Sequence, residues 1–177
     1  AALDFMSNFF VHFPSEKLEA PNDLLFEPIH SPYAKRIHGV LAMNERISKA
    51  VSESIKSNFF PVVLSGDHSN AGGTIAGIKM AKPKSKLGVI WIDAHADLRE
   101  AYEGDPLSHA SVMKRAVDMG IPLFQLGIRA YCEEEMATRK RHGVFYRDAD
   151  ELAASNCFAI ELPVDFPEKV FFTLDID

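Results

Sequence analysis

From Arg36 onward the apolar positions alternate between two patterns. Ile37, Val40, Leu41, Ile47, Val51 and Ile55 follow the i, i+3, i+4, i+7 spacing of a helix with one buried face, which predicts a helix from about 36 to 57. FFPVVLS at 59–65 is instead a continuous apolar run closed by Gly66, the pattern of a strand buried in a parallel sheet. The stretch GDHSNAGGTIAGIKMAKPK then predicts a loop and a helix of small residues that Pro83 ends. KLGVIWID predicts a second buried strand, and Ser108 a cap for a helix HASVMKRAVDM that stops at Gly120. PLFQLGI predicts a third strand, and CEEEMATRKRH a helix with acids in its first turn and bases in its last, closed by Gly143. A short strand VFY, a helix near 148–156 and the strand KVFFTLDI complete the series. Residues 1–34, rich in Pro, Phe and His, have no clean period and are expected to be mostly irregular.

Strands alternating with helices predict an α/β protein, a three-layer α/β/α arrangement around a mostly parallel sheet. In such sheets ligands bind at the carboxyl ends of the strands. A length of 177 residues, 47% of them hydrophobic, suits one core, so residues 1–177 are expected to form a single domain. The chain starts without Met and stops inside FFTLDID, and a missing C-terminal part is therefore expected.

A net charge of -6 disfavours a nucleic-acid partner, which needs clustered Lys and Arg to displace counterions. The basic cluster RKRH at 139–142 suits the solvated last turn of a helix. No apolar run approaches the roughly 20 residues of a membrane helix, so no membrane partner is expected. Cys132 and Cys157 form no CxxC and fit a reducing, cytoplasmic compartment.

Three predicted strands end in polar residues of one chemical kind, in VVLSGDH, VIWIDAHAD and FFTLDID. Because the strands are expected to be parallel, these three tips lie on the same edge of the sheet. Residues two apart on an extended chain point the same way, so Asp93, His95 and Asp97 share a face, as do Asp175 and Asp177. His68 completes the candidate ligand set. A lone Asp or His at a strand end is commonly a cap or a loop hydrogen-bonder; the conjunction of three such tips in one chain is what points to a shared site. Four carboxylates converging in a crevice repel one another by several kcal/mol unless protonated or bound to cations. Two divalent cations would neutralise them, and the oxygen-rich donor set without thiolate favours Mn²⁺. A water bridging two such ions loses a proton near neutral pH, which makes a hydrolase. Calcineurin-like phosphoesterases also use D-x-H and GD elements, but there D-x-H comes first and GNH follows; here GDH precedes DAHAD and GNH is absent.

SGDHS, DAHAD and TLDID, in this order and strand context, closely resemble the signature motifs of the ureohydrolases, the arginase and agmatinase family of binuclear manganese enzymes. The resemblance runs from about residue 36 to the end. It implies two Mn²⁺ per subunit, one held by His68, Asp93, Asp97 and Asp175, the other by Asp93, His95, Asp175 and Asp177. It further implies that Asp97 helps orient the reacting centre and that His109, in LSHASVM, assists proton transfer to the leaving amine. DLREAYEGDPLSHASVMKRA replaces the SGN-type segment of arginases and, with QLGIRAYCEEE, looks like microbial agmatinases. Agmatine, cleaved to putrescine and urea, is therefore the expected guanidino substrate, with arginine, guanidinobutyrate or formiminoglutamate as alternatives. Glu103, Asp105 and Glu133 could face its cationic end, although each is better explained as an ordinary surface acid. The guanidinium-binding glutamate of the family would lie beyond Asp177. A trimer or hexamer is the assembly that the resemblance implies. From other classes stand a non-catalytic metal-binding paralogue and a one-zinc deacetylase-like enzyme.

Overall fold

A computed structural model of the chain describes residues 7–14, 25–30, 37–155 and 160–176. They fall into two compact units, Ala1–Lys84 and Ser85–Asp177.

The first unit contains strands β1 (Ser7–Pro14), β2 (Leu25–His30) and β3 (Phe59–Leu64) and helices α1 (Ile37–Lys56) and α2 (Ala71–Ala81). The helical period of α1 puts Met43, Ile47 and Val51 into a core, with Ala50, Ile55, Val63 and Ile78 packed against it. Helix α2 comes close to α1 because two of its positions have no side chain. A Cβ on Gly77 would stand 2.6 Å from Val51 Cβ and 2.7 Å from the Ser48 carbonyl oxygen, and one on Gly73 2.8 Å from the Asn44 carbonyl oxygen.

Two expectations are corrected in this unit. Within the segment expected to be mostly irregular, the described residues 7–14 and 25–30 are strands, β1 pairing antiparallel with β2 from Ser7↔His30 to His12↔Leu25, and the rest of residues 1–34 lies outside the described residues. Pro28 breaks the sequence pattern but is tolerated because β2 is an outer strand of the order β2-β1-β3. Nor does β3 pair in a parallel sheet: its partner is β1, antiparallel, from Phe9↔Leu64 to Pro14↔Phe59. Its residues are only half-buried or exposed. A short apolar run specifies a strand but neither its neighbours nor its direction.

The second unit is the α/β part. Strands β4 (Gly88–Ile92), β5 (Leu123–Leu126), β6 (Phe145–Arg147) and β7 (Val170–Leu174) form a sheet of order β6-β5-β4-β7, and all its pairs are parallel. Helices α3 (Val112–Asp118), α4 (Glu133–His142) and α5 (Ala149–Ser155) lie between the strands in sequence. Val89 and Trp91, both fully buried, point to one face of β4. The opposite face carries Phe124 and Leu126, with Ile90 and Ile92 packed beside them under Phe166. Phe166 meets the rings of Phe124 and Phe145 edge-on, at centroid distances of 6.4 and 6.2 Å. Phe172 and Leu174 of β7 stay exposed. Among the described residues no helix is long and apolar enough to cross a membrane.

Two helix details also differ from expectation. Ser108 does not cap its helix through its side chain; His109–Ser111 form a tight 3-10 turn and α3 starts at Val112. The N–H groups of Met113 and Lys114 are taken instead by the carbonyl of Asp97, at 3.0 and 3.2 Å. In the basic cluster, Arg139 is not solvated but buried, because Asp148 offers it a bidentate partner.

The close approach of α1 and α2 sets a test. Alanine is the better helix former by about 1 kcal/mol, yet Gly77→Ala is expected to lower stability in urea unfolding by about 1–3 kcal/mol, the cost of an overpacked core.

Candidate metal centre

The tips of β4 and β7 are held level by sheet hydrogen bonds that continue one residue past each strand. Asp175 N–H donates to the Ile92 carbonyl at 2.9 Å, and Asp93 N–H to the Leu126 carbonyl at 3.2 Å. Because Ile92 faces Leu174 in register, Asp93 and Asp175 emerge side by side. A carboxylate oxygen of one lies within 4.8 Å of one of the other. Asp93 is buried, and its Oδ1 accepts the His95 N–H at 2.6 Å and stands 3.3 Å from His95 Nδ1. Two carboxylates at this spacing with an imidazole beside one of them make an oxygen-rich donor set, which suits a divalent cation.

Strand β4 ends at Ile92, but His95 still forms an isolated parallel bridge with Ala130 and its ring stands beside Asp93; at Asp97 the extended backbone on which the expected alternation relies is lost. Asp93 and Asp97 are buried, whereas the His95 side chain is half exposed. Asp97 adopts φ 51°, a left-handed conformation that costs a non-glycine residue roughly 1–2 kcal/mol. Among the described residues, neither His95 nor Asp97 completes a triad with Asp93 and Asp175 at the 4.8 Å spacing.

The backbone of this loop is hydrogen-bonded at nearly every step. The Ala94 carbonyl accepts from Arg129 and Ala130 N–H, both at 2.9 Å, and Ala96 N–H donates to the Ala130 carbonyl. Trp91 Nε1 donates to the His95 carbonyl at 3.2 Å, and Gln125 Nε2 to the Ala96 carbonyl at 2.7 Å. From α4, Glu135 Oε1 accepts Leu98 N–H and Glu134 Oε1 accepts Glu100 N–H, at 3.1 and 2.9 Å. None of these holding side chains is among the candidates read from the sequence. Only Gln125 left a signal, an amide inside the apolar run PLFQLGI.

Farther along, Tyr102 and Asp105 exchange backbone hydrogen bonds around Glu103 and Gly104, both with positive φ, the geometry of a two-residue hairpin turn. Tyr102 meets the His109 ring edge-on at 5.6 Å, and the Arg99 guanidinium lies 5.5 Å from its centroid. His109 is exposed. Asp105 accepts Leu107 N–H, while Glu103 and Glu133 are exposed surface acids. In the first unit, half-buried His68 opens a 3-10 turn after β3, capped by Asp67 Oδ1 accepting Ser69 N–H. Asp177 and Cys157 lie outside the described residues.

The family model described as the arginase family matches residues 14–177. The chain belongs to the arginase family. Among its arginase-family relatives, an N(1)-aminopropylagmatine ureohydrolase from Synechocystis is 30% identical, over 77% of this chain and 44% of the relative. An agmatinase from Bacillus cereus is 33% identical, over 75% of this chain and 45% of its own length. The crystal structure of Bacillus subtilis arginase superimposes with a TM-score of 0.58 at 34% identity, covering 67% of this chain and 47% of that one. The chain thus spans a little under half the length of these arginase-family proteins.

Two measurements probe the loop. Lys114 is buried; burial alone would lower its pKa, but hydrogen bonds to Asp118 and Glu100 outweigh that and hold it above its ordinary 10.5. The Lys114 hydrogen bond and charge, with help from Arg115, keep Glu100 below its ordinary 4.5. Glu100 therefore contributes stability above pH 4.5 that is lost as pH falls through its depressed value. Lys114 contributes below pH 10.5, and its share is lost as pH rises through its raised value. The stability difference between wild type and Lys114→Met, followed by thermal unfolding, is expected to be level between these limits and to shrink outside them. In the turn, Glu103→Gly should raise stability by about 1 kcal/mol, since glycine removes the left-handed strain.

Proposed function

We propose that this chain carries the metal half of a binuclear manganese amidinohydrolase that releases urea from a guanidino substrate, with residues 1–177 serving one ureohydrolase domain. The observation that carries the proposal is the Asp93–Asp175 carboxylate pair at adjacent parallel strand tips, in a chain of the arginase family. His68, Asp93, Asp97 and Asp175 are assigned to one Mn²⁺ and Asp93, His95, Asp175 and Asp177 to the other. When bound, the two ions would supply a nucleophilic water at neutral pH and polarise the guanidinium carbon.

The remaining roles fall to the chain. Asp97, buried and with its backbone held in a left-handed conformation, would help orient the reacting centre. His109, exposed and in contact with Tyr102, holds the proton that the departing amine needs. For substrate we favour agmatine. The Bacillus cereus relative is an agmatinase, and the stretch DLREAYEGDPLSHASVMKRA resembles microbial agmatinases. Agmatine lacks an α-carboxylate, so its pocket needs no group to bind one.

The deciding assay is urea release from agmatine and arginine, side by side, by the complete gene product with Mn²⁺. Urea from agmatine alone supports the full proposal. Urea from arginine keeps the chemistry and overturns the substrate, and bound Mn²⁺ without urea from either moves the binding-protein reading ahead. His109→Asn is expected to reduce kcat by about 10²–10⁴-fold with Mn²⁺ stoichiometry unchanged, the usual range for general acid catalysis.

A further inference from the structure

A buried polar line runs through the second unit and ends on the loop of the candidate ligands. Asp148 grips Arg139 with both oxygens, at 2.9 and 3.0 Å. Arg139 Nε donates to Gln125 Oε1 at 3.0 Å, and Gln125 Nε2 donates to the Ala96 carbonyl at 2.7 Å. Gln125 is fully buried and Arg139 is 2% exposed, with the Tyr146 ring 4.2 Å from its guanidinium carbon. Ala96 stands between His95 and Asp97.

Stability alone does not explain this line. A buried ion pair is commonly no more stabilising than apolar residues of the same volume, because desolvation cancels the Coulombic gain. Its directional effect is specific, however. A guanidinium has donors only, so Arg139 forces the oxygen of the Gln125 amide toward itself and turns the NH₂ group toward Ala96. That N–H fixes the plane of the peptide leading into Asp97. The left-handed conformation of Asp97 persists only where its surroundings over-determine it, and the Met113 and Lys114 N–H groups pin its far side.

We infer that Gln125 is a positioning residue for the metal ligands His95 and Asp97, oriented in turn by Arg139 and Asp148. The inference rests on the proposed ligand role of these two residues. It deepens that reading by naming a support at some remove from the ions.

The test uses Gln125→Glu in the full chain, with Mn²⁺ affinity followed by the electron paramagnetic resonance of free Mn²⁺ and apo stability by thermal unfolding. The variant keeps the side-chain volume and the partner of Arg139 but replaces the N–H aimed at Ala96 with an acceptor. Added negative charge alone would strengthen cation binding, so a loss has the opposite sign to simple electrostatics. We expect Mn²⁺ to bind about 10–100-fold more weakly, the range for residues that orient metal ligands, with the unfolding midpoint near that of wild type. Unchanged or tighter Mn²⁺ binding by the folded variant overturns the positioning role while the metal reading stands. Absence of Mn²⁺ binding by the wild-type chain overturns both. If Gln125→Glu does not fold, Gln125→Met, which removes the donor without adding charge, decides the comparison by the same readings. In the complete gene product, the positioning role predicts that the Gln125→Glu loss of kcat is partly recovered at saturating Mn²⁺, which a general loss of stability would not give.

Discussion

The register of β4 against β7 is the constraint on which the site depends. Side chains alternate across a sheet, so slipping β7 by one residue would turn Asp175 to the opposite face and leave Asp93 without its neighbour. The register is held at both ends: Gly88 faces Val170, Ile92 faces Leu174, and the hydrogen bond from Asp175 to Ile92 extends it into the tips. It is also fixed by burial. Val89 and Trp91 must face one way and Ile90 and Ile92 the other, where the Phe166 cluster lies. Packing of apolar side chains thus places a pair of carboxylates.

Those carboxylates would repel each other if left bare, and the protein invests in keeping their surroundings rigid. The loop after β4 is irregular, yet its amides and carbonyls are bonded to β5, α3, α4 and the 128–130 segment. Such satisfaction lets an irregular backbone be buried without losing several kcal/mol per unpaired group. It also allows Asp97 to remain in a conformation that it would not adopt unsupported. Ligands held in place before a cation arrives need less reorganisation on binding, which is how a scaffold raises affinity without adding donors.

The first unit solves a different problem. There α1 presents a long apolar face, and α2, with glycines where it meets that helix, can approach it backbone to backbone. The small residues that look featureless in the sequence are what permit the contact. Strand β3 leads from α1 into the turn that begins at His68, and α2 follows that turn.

What the sequence by itself determined were local matters: the helices α1, α2 and α4, the last two closed by Pro83 and Gly143, the parallel strands β4, β5 and β7, and the acidic and imidazole residues that GDH, DAHAD and TLDID set after strands. Each follows from period, caps and residue type within a window of about a dozen positions. Pairing of strands distant along the chain was decided only in three dimensions. FFPVVLS reads equally well as a buried parallel strand, yet β1 captured it in an antiparallel ladder, and no local signal encodes a partner some fifty residues earlier. The same holds for the charges. Arg139 belonged by sequence to a solvated basic turn, but Asp148 and Gln125 converge on it across α4, β5 and the start of α5. The alternation expected along DAHAD is broken at Asp97, whose φ of 51° is not extended, and hydrogen bonds from β5, α3, α4 and the 128–130 segment hold the path of the loop. Residue type proposes the ligands; tertiary contacts decide where each one points.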